Sequence, residues 1–173
     1  MEKLVNGLVL RLVRGDITDL DVEAFVYDAR PDLVLGTGYG GAIAQRGGQE
    51  IAAELKPKGP LAVGEAVASG GGKLKAKHII HTVGPKFQEP DEEQKLRRAV
   101  ASALRCAGEL GVTRLAFPPL GTGLYAVPLD VCARVLLEVV QAHAQAGTGL
   151  REVIVCAVDS REYQPFEARL KAL

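Results

Sequence analysis

The sequence predicts an α/β fold, a mixed and largely parallel sheet with helices on both faces. Three observations predict it. Short apolar runs of strand type alternate with longer segments of helical periodicity. Between residues 92 and 110, Leu96, Val100, Ala103, Ala107 and Leu110 recur at three- and four-residue steps, and Gly111 follows as a C-cap. Two glycine-rich loops, residues 35–43 and 121–126, each stand after an apolar run and before a helix, where α/β sheets bind ligands at the carboxyl ends of their strands.

Taken in order, residues 8–13 form a β-rich run that ends in Arg14-Gly15-Asp16-Ile17-Thr18, a tight connection in which Asp16 is placed to accept hydrogen bonds. Residues 22–29 are apolar enough for a buried strand and lead through Arg30-Pro31-Asp32 into the first glycine loop. A helix is expected from about Ala42 to Leu55, interrupted at Gly47-Gly48. Residues 65–69 and 77–83 read as one hairpin joined by the turn at 70–75. Residues 114–117 form a strand entering the second loop. Residues 128–146 form a helix with Pro128 in its first turn. A strand over 152–158 and a helix over 161–170 complete the chain.

At 173 residues the chain suits one domain, 1–173, with a core that needs neither disulfides nor metal. Its formal net charge is zero, so no general positive field gathers nucleic acid or an anionic membrane. Cys106, Cys132 and Cys156 lie apart in apolar runs and read as reduced, buried hydrophobes, which points to a cytoplasmic protein. No apolar run is long enough to span a bilayer.

Leu35-Gly36-Thr37-Gly38-Tyr39-Gly40-Gly41-Ala42-Ile43 places four glycines before a helical start. Such a loop presents backbone N–H groups, and the helix N-terminus behind it adds partial positive charge, so it suits phosphate. The second loop, Gly121-Thr122-Gly123-Leu124-Tyr125-Ala126, repeats the device, and two cradles imply a diphosphate. A dinucleotide fingerprint would follow the first strand and be answered by an acid about 20 residues on; this chain meets neither condition. Gly70-Gly71-Gly72-Lys73 lacks the Ser/Thr and spacing of a P-loop. Lys73, Lys75 and Lys77 read as a solvated turn. His78 and His81 point to opposite faces of a strand and so cannot share an ion, and His143 stands alone. No serine sits in a nucleophile motif.

Gly15-Asp16-Ile17-Thr18, the loop ending Gly41-Ala42-Ile43, His78-Ile79-Ile80-His81-Thr82-Val83-Gly84-Pro85, and Pro118-Pro119-Leu120-Gly121-Thr122-Gly123-Leu124-Tyr125 together resemble a macro domain, over about residues 8–170. The resemblance implies a three-layer α/β/α sandwich that binds ADP-ribose, some members of the family also hydrolysing ADP-ribosyl esters or O-acetyl-ADP-ribose. It makes Asp16 the acceptor of the adenine amino group, with the Ile17 N–H at the same ring. Gly36, Thr37, Gly38, Tyr39, Gly40 and Gly41 would hold the diphosphate. Gly121, Thr122, Gly123 and Leu124 would close over it, with Tyr125 near the terminal ribose. The competing reading of Asp16 is an Asx-turn residue serving its own loop.

The departures concern turnover. Hydrolytic macro domains commonly carry Asn-Ala-Ala-Asn after the second strand and an Asp before Gly-Ala-Ile; here stand Tyr27-Asp28-Ala29-Arg30 and Gly40. A second hydrolytic branch uses a lysine after the first loop and an aspartate in the second, where this chain has Ala44-Gln45-Arg46 and Tyr125. Two residues apart on an extended segment, Asp28 and Arg30 share a face, so that Asp28 steers Arg30 toward ribose or phosphate; alternatively Arg30 covers the loop with its stem. The leading expectation is a module that binds ADP-ribose or an ADP-ribosylated macromolecule with weak or no turnover, without cofactor, metal or membrane. The alternatives are a divergent ADP-ribosyl-ester or O-acetyl-ADP-ribose hydrolase and, more remotely, a binder of another nucleotide or of RNA ends. Val158, Tyr163 and Phe166 are all candidates to stack on adenine.

Overall fold

The computed structural model describes residues 1–36, 38–121 and 127–173. Among these residues, seven strands form one sheet in the order β1-β2-β7-β6-β3-β5-β4, where β1 is Glu2–Val5, β2 Leu8–Arg14, β3 Ala24–Asp28, β4 Ala66–Gly70, β5 His78–Thr82, β6 Arg114–Phe117 and β7 Glu152–Ala157. The five inner strands β2, β7, β6, β3 and β5 run parallel, and the edge strands β1 and β4 pair antiparallel with β2 and β5. The sheet is therefore mixed and largely parallel as expected, with one difference. There are two edge hairpins rather than one, because Asn6 and Gly7, with φ of 47° and 84°, form the two-residue turn with positive φ that suits a hairpin.

Helices α1 (Tyr39–Gly47) and α2 (Gln49–Leu55) cover one face of the sheet; α3 (Glu92–Leu110), α4 (Leu129–Ala146) and α5 (Ser160–Lys171) cover the other. Strand alternation divides the core between them. Ala24 and Val26 of β3 join Leu8, Leu10 and Leu12 of β2 and Phe166 of α5, whereas Phe25 and Tyr27 pack with Ile43, Ile51 and Leu55. These are the three layers implied by the resemblance. The helix over 92–110 has the predicted bounds, and Gly111 caps it at φ 70°. Pro128 is the N-cap of α4 and not a first-turn residue, and α1 begins at Tyr39, three residues before Ala42.

Phe117, fully buried at the end of β6, belongs to the larger core cluster. Phe117→Ala is expected to lower unfolding free energy by roughly 3–5 kcal/mol, the sum of lost transfer free energy and a residual cavity. Chemical denaturation with an unchanged m-value checks this.

Candidate functional site

The five parallel strands all end at one rim, and the residues directly after them build a cleft. Asp16 follows β2, Ala29 and Arg30 follow β3, Val83 and Gly84 follow β5, Pro118 and Pro119 follow β6, and Val158 follows β7. The cleft has a volume of about 1050 Å³, at the upper end of the usual range for ligand pockets. Gly38, Tyr39 and Ala42 of the first glycine loop and Gly121 of the second line the same cleft. Loops from distant parts of the chain thus converge on one site.

Asp16 serves its own turn and also lines the cleft. Its Oδ1 accepts from the Thr18 N–H at 2.9 Å and the Thr18 hydroxyl at 2.6 Å, capping the short 3₁₀ turn Ile17–Asp19. Its Oδ2 accepts from Arg46 Nη1 at 3.3 Å, and the side chain, 43% exposed, also lines the cleft. Arg46 reaches back from α1, donating to the Thr18 hydroxyl at 2.8 Å and pairing with Asp19. In this way the helix behind the first loop orients the Asp16 carboxylate, a role with no counterpart in the sequence reading. Ile17 is buried, so its side chain anchors the turn.

Gly38 caps α1 at φ 55° and ψ −130°, a conformation open to glycine, so Tyr39, Gly40 and Gly41 form the first helical turn. Their N–H groups are the first of the helix, which has no intrahelical partner for them, and they stand where the helix dipole is positive. Gly40 is required by close packing: a Cβ there would sit 2.3 Å from the Tyr27 hydroxyl oxygen. Tyr39 is half-buried at the cleft wall, and burial, with Cys156, Glu162 and Asp16 adding to it, pushes its phenol up to about 12. It stays neutral at physiological pH. Thr37, Thr122, Gly123, Leu124 and Tyr125 lie outside the described residues.

Asp28 sits at the carboxyl end of β3 among cleft-lining groups, and burial raises its carboxyl to about 6 against the opposing effect of the Gly121 and Gly84 N–H groups. The Gly121 N–H donates to its Oδ2 at 3.0 Å. That bond changes the part foreseen for Gly121: its N–H is committed to Asp28, and Gly121 serves as the tether of its loop. The steering of Arg30 by Asp28 is not what the structure shows. Arg30 Nη2 pairs with Asp32 Oδ2 at 2.7 Å, because β3 ends at Asp28 and a turn closed by the Leu33 N–H on the Arg30 carbonyl follows, so strand alternation no longer applies.

Tyr27 is buried, with its ring edge-on to His81 at 5.8 Å and 87°. His81, buried and pushed down to about 4 by desolvation, stays neutral and bonds Ser69 Oγ through Nε2 at 2.8 Å. It is a core histidine, and no cluster of potential metal ligands occurs among the described residues. Of the three stacking candidates, Phe166 is in the core and Tyr163 packs partly against it, while Val158 is 51% exposed and lines the cleft. Tyr27, Arg46, Gly84 and Pro118 were not singled out as site residues; Gly84 and Pro118 could have been found from their position directly after strand ends.

The fold and site define an α/β protein with a cleft at the carboxyl edge of its sheet, beside the N-terminus of α1. Residues 28–136 match the macro domain family model. The macro domain-containing protein of Caldanaerobacter subterraneus subsp. tengcongensis is 36% identical over 170 residues, covering 95% of this chain and 97% of its own. A solved mutant of the Oceanobacillus iheyensis macrodomain with ADPR superposes with a TM-score of 0.93 at 29% identity, covering 99% of this chain and 97% of that one. The Trypanosoma brucei macrodomain in complex with ADP-ribose gives a TM-score of 0.88 at 28% identity, over 93% of this chain and 68% of that one. The chain belongs to the macro domain family.

Proposed function

We propose that this protein binds ADP-ribose, free or carried on a macromolecule, and turns it over weakly or not at all. The observation that carries the reading is the convergence of Asp16, the first turn of α1 and Gly121 on one cleft of about 1050 Å³. Asp16 accepts the adenine amino group at one end, since a carboxylate accepts where the exocyclic amine donates. Val158 offers an apolar surface beside it. The N–H groups of residues 38–41 hold the diphosphate, a task suited to an uncapped helix N-terminus. The solved relatives with ADPR and ADP-ribose support the choice of ligand.

The weak turnover follows from the groups present. Arg30 and Gly40 occupy the positions at which the family resemblance places a catalytic asparagine and aspartate. The carboxylate that remains nearby, Asp28, is committed to the second loop, its Oδ2 accepting from the Gly121 N–H at 3.0 Å. Free thiols at Cys106, Cys132 and Cys156 support a reducing compartment such as the cytoplasm.

Calorimetric titration tests the binding. ADP-ribose is expected to bind wild-type protein, and Asp16→Ala to weaken it by about tenfold or more, the loss of a hydrogen bond to a charged group. Equal affinity for both proteins would reduce Asp16 to a turn residue. Incubation with mono-ADP-ribosylated protein and with O-acetyl-ADP-ribose tests turnover, and efficient release would replace the binding reading with the hydrolytic one.

A further inference from the structure

We infer that Arg30 is a specificity residue, a side-chain cation bracketed against the first glycine loop so that it reads the charge of the ligand's diphosphate. The inference rests on the ADP-ribose reading above and adds a residue to it. Two observations place the guanidinium. Asp32 Oδ2 accepts from Nη2 at 2.7 Å, and Nη1 lies 3.5 Å from where a Cβ on Gly36 would be, against the loop itself.

The bracket is fixed on both sides. Asp32 Oδ1 accepts from the Val34 N–H at 3.0 Å, and the Arg30 carbonyl accepts from the Leu33 N–H at 2.9 Å while the Leu33 side chain is buried. Arg30 and Asp32 both line the cleft, and the charge of Arg30 acts on the Tyr27 hydroxyl that packs against Gly40. Tyr27 and Arg30 therefore face the first loop at its two ends, the phenol at Gly40 and the guanidinium at Gly36.

An exposed ion pair such as Arg30–Asp32 contributes little to stability, with side chains 46% and 49% exposed, so stability does not account for the arrangement. Orientation does. A guanidinium has five N–H donors in a planar fork, Asp32 engages one nitrogen, and the fork's remaining donors match phosphate oxygens. Backbone amides alone hold a diphosphate by dipoles; a fixed guanidinium adds a full charge and shorter, stronger hydrogen bonds. The site should therefore favour ligands by the charge next to the loop, and ADP should share the benefit with ADP-ribose while adenosine does not.

The test is calorimetry of wild-type, Arg30→Ala and Arg30→Lys proteins with ADP-ribose, ADP and adenosine, after melting curves establish equal folding. Arg30→Ala is expected to weaken ADP-ribose and ADP by about tenfold and to leave adenosine unchanged. Arg30→Lys should fall between, since it keeps the charge and loses the fork. The deficit should shrink at high salt, as screening predicts for an exposed charge. Unchanged ADP-ribose affinity in both variants overturns the inference alone, and so does an equal loss for adenosine, which marks a structural effect. Failure of wild-type protein to bind ADP-ribose overturns the ligand reading itself.

Discussion

Gly40→Asp, which installs the acid found here in many hydrolytic macro domains, is expected to destabilise the protein by roughly 2–3 kcal/mol and not to create a hydrolase. The cause is already present at the Cβ. That atom would lie 2.3 Å from the Tyr27 hydroxyl oxygen, 3.1 Å from its Cζ and 3.4 Å from the Leu35 Cα. Tyr27 has little room to yield, being 5% exposed and set edge-on against the buried His81. Gly40→Ala isolates the clash. In an unhindered helix it would gain about 1 kcal/mol in propensity, and here the overlap outweighs that gain. Tyr27→Phe removes the closest atom, so the pair Tyr27→Phe/Gly40→Ala should be less destabilised than the two single effects summed, a positive coupling read in a double-mutant cycle by chemical denaturation. Additive effects, or a Gly40→Ala protein as stable as wild type, would show that the contact does not constrain the loop.

Asp28→Asn is expected to stabilise the protein near neutral pH, an unusual outcome for replacing a hydrogen-bonded carboxylate. The folded protein holds the Asp28 proton up to about pH 6, against an ordinary value of 3.8 in the unfolded chain. Between those values the folded state binds more protons than the unfolded state, so stability falls as pH rises from about 4 to about 6 and stays reduced above. The shift corresponds to about 3 kcal/mol as an upper figure. Asparagine resembles the protonated acid in charge and keeps a carbonyl oxygen for the Gly121 N–H. Loss of the second N–H contact, at Gly84, offsets part of the gain, leaving roughly 1–2 kcal/mol at pH 7.5. Melting curves of wild type and Asp28→Asn from pH 4 to 8 should cross between about pH 4 and pH 6, the variant lying below wild type at pH 4 and above it at pH 7.5. Parallel curves would contradict the burial of this charge.

Local patterns were legible in the sequence, and pairings across it were not. Helical periodicity placed α3 between its observed ends, and the glycine loops and Asp16 marked loops that do converge, because α/β connections return to one edge of the sheet. The N-terminal hairpin was missed although Asn6-Gly7 announced it. The shared face of Asp28 and Arg30 does not form, because alternation ends at Asp28, where the strand stops. No pattern could have revealed the bond from Gly121 to Asp28, 93 residues apart, or the fit of Tyr27 over Gly40, since both depend on the register of neighbouring strands and not on local spacing.

The central claim is that Asp16 and the first turn of α1 face a single ADP-ribose in the cleft at the carboxyl edge of the sheet. A crystal structure of the protein soaked with ADP-ribose tests it most directly. The adenine amino group is expected within hydrogen-bond reach of the Asp16 carboxylate, and the diphosphate on the N–H groups of residues 38–41, beside Arg30. Ligand bound elsewhere on the molecule, or in the cleft with its adenine away from Asp16, would contradict it.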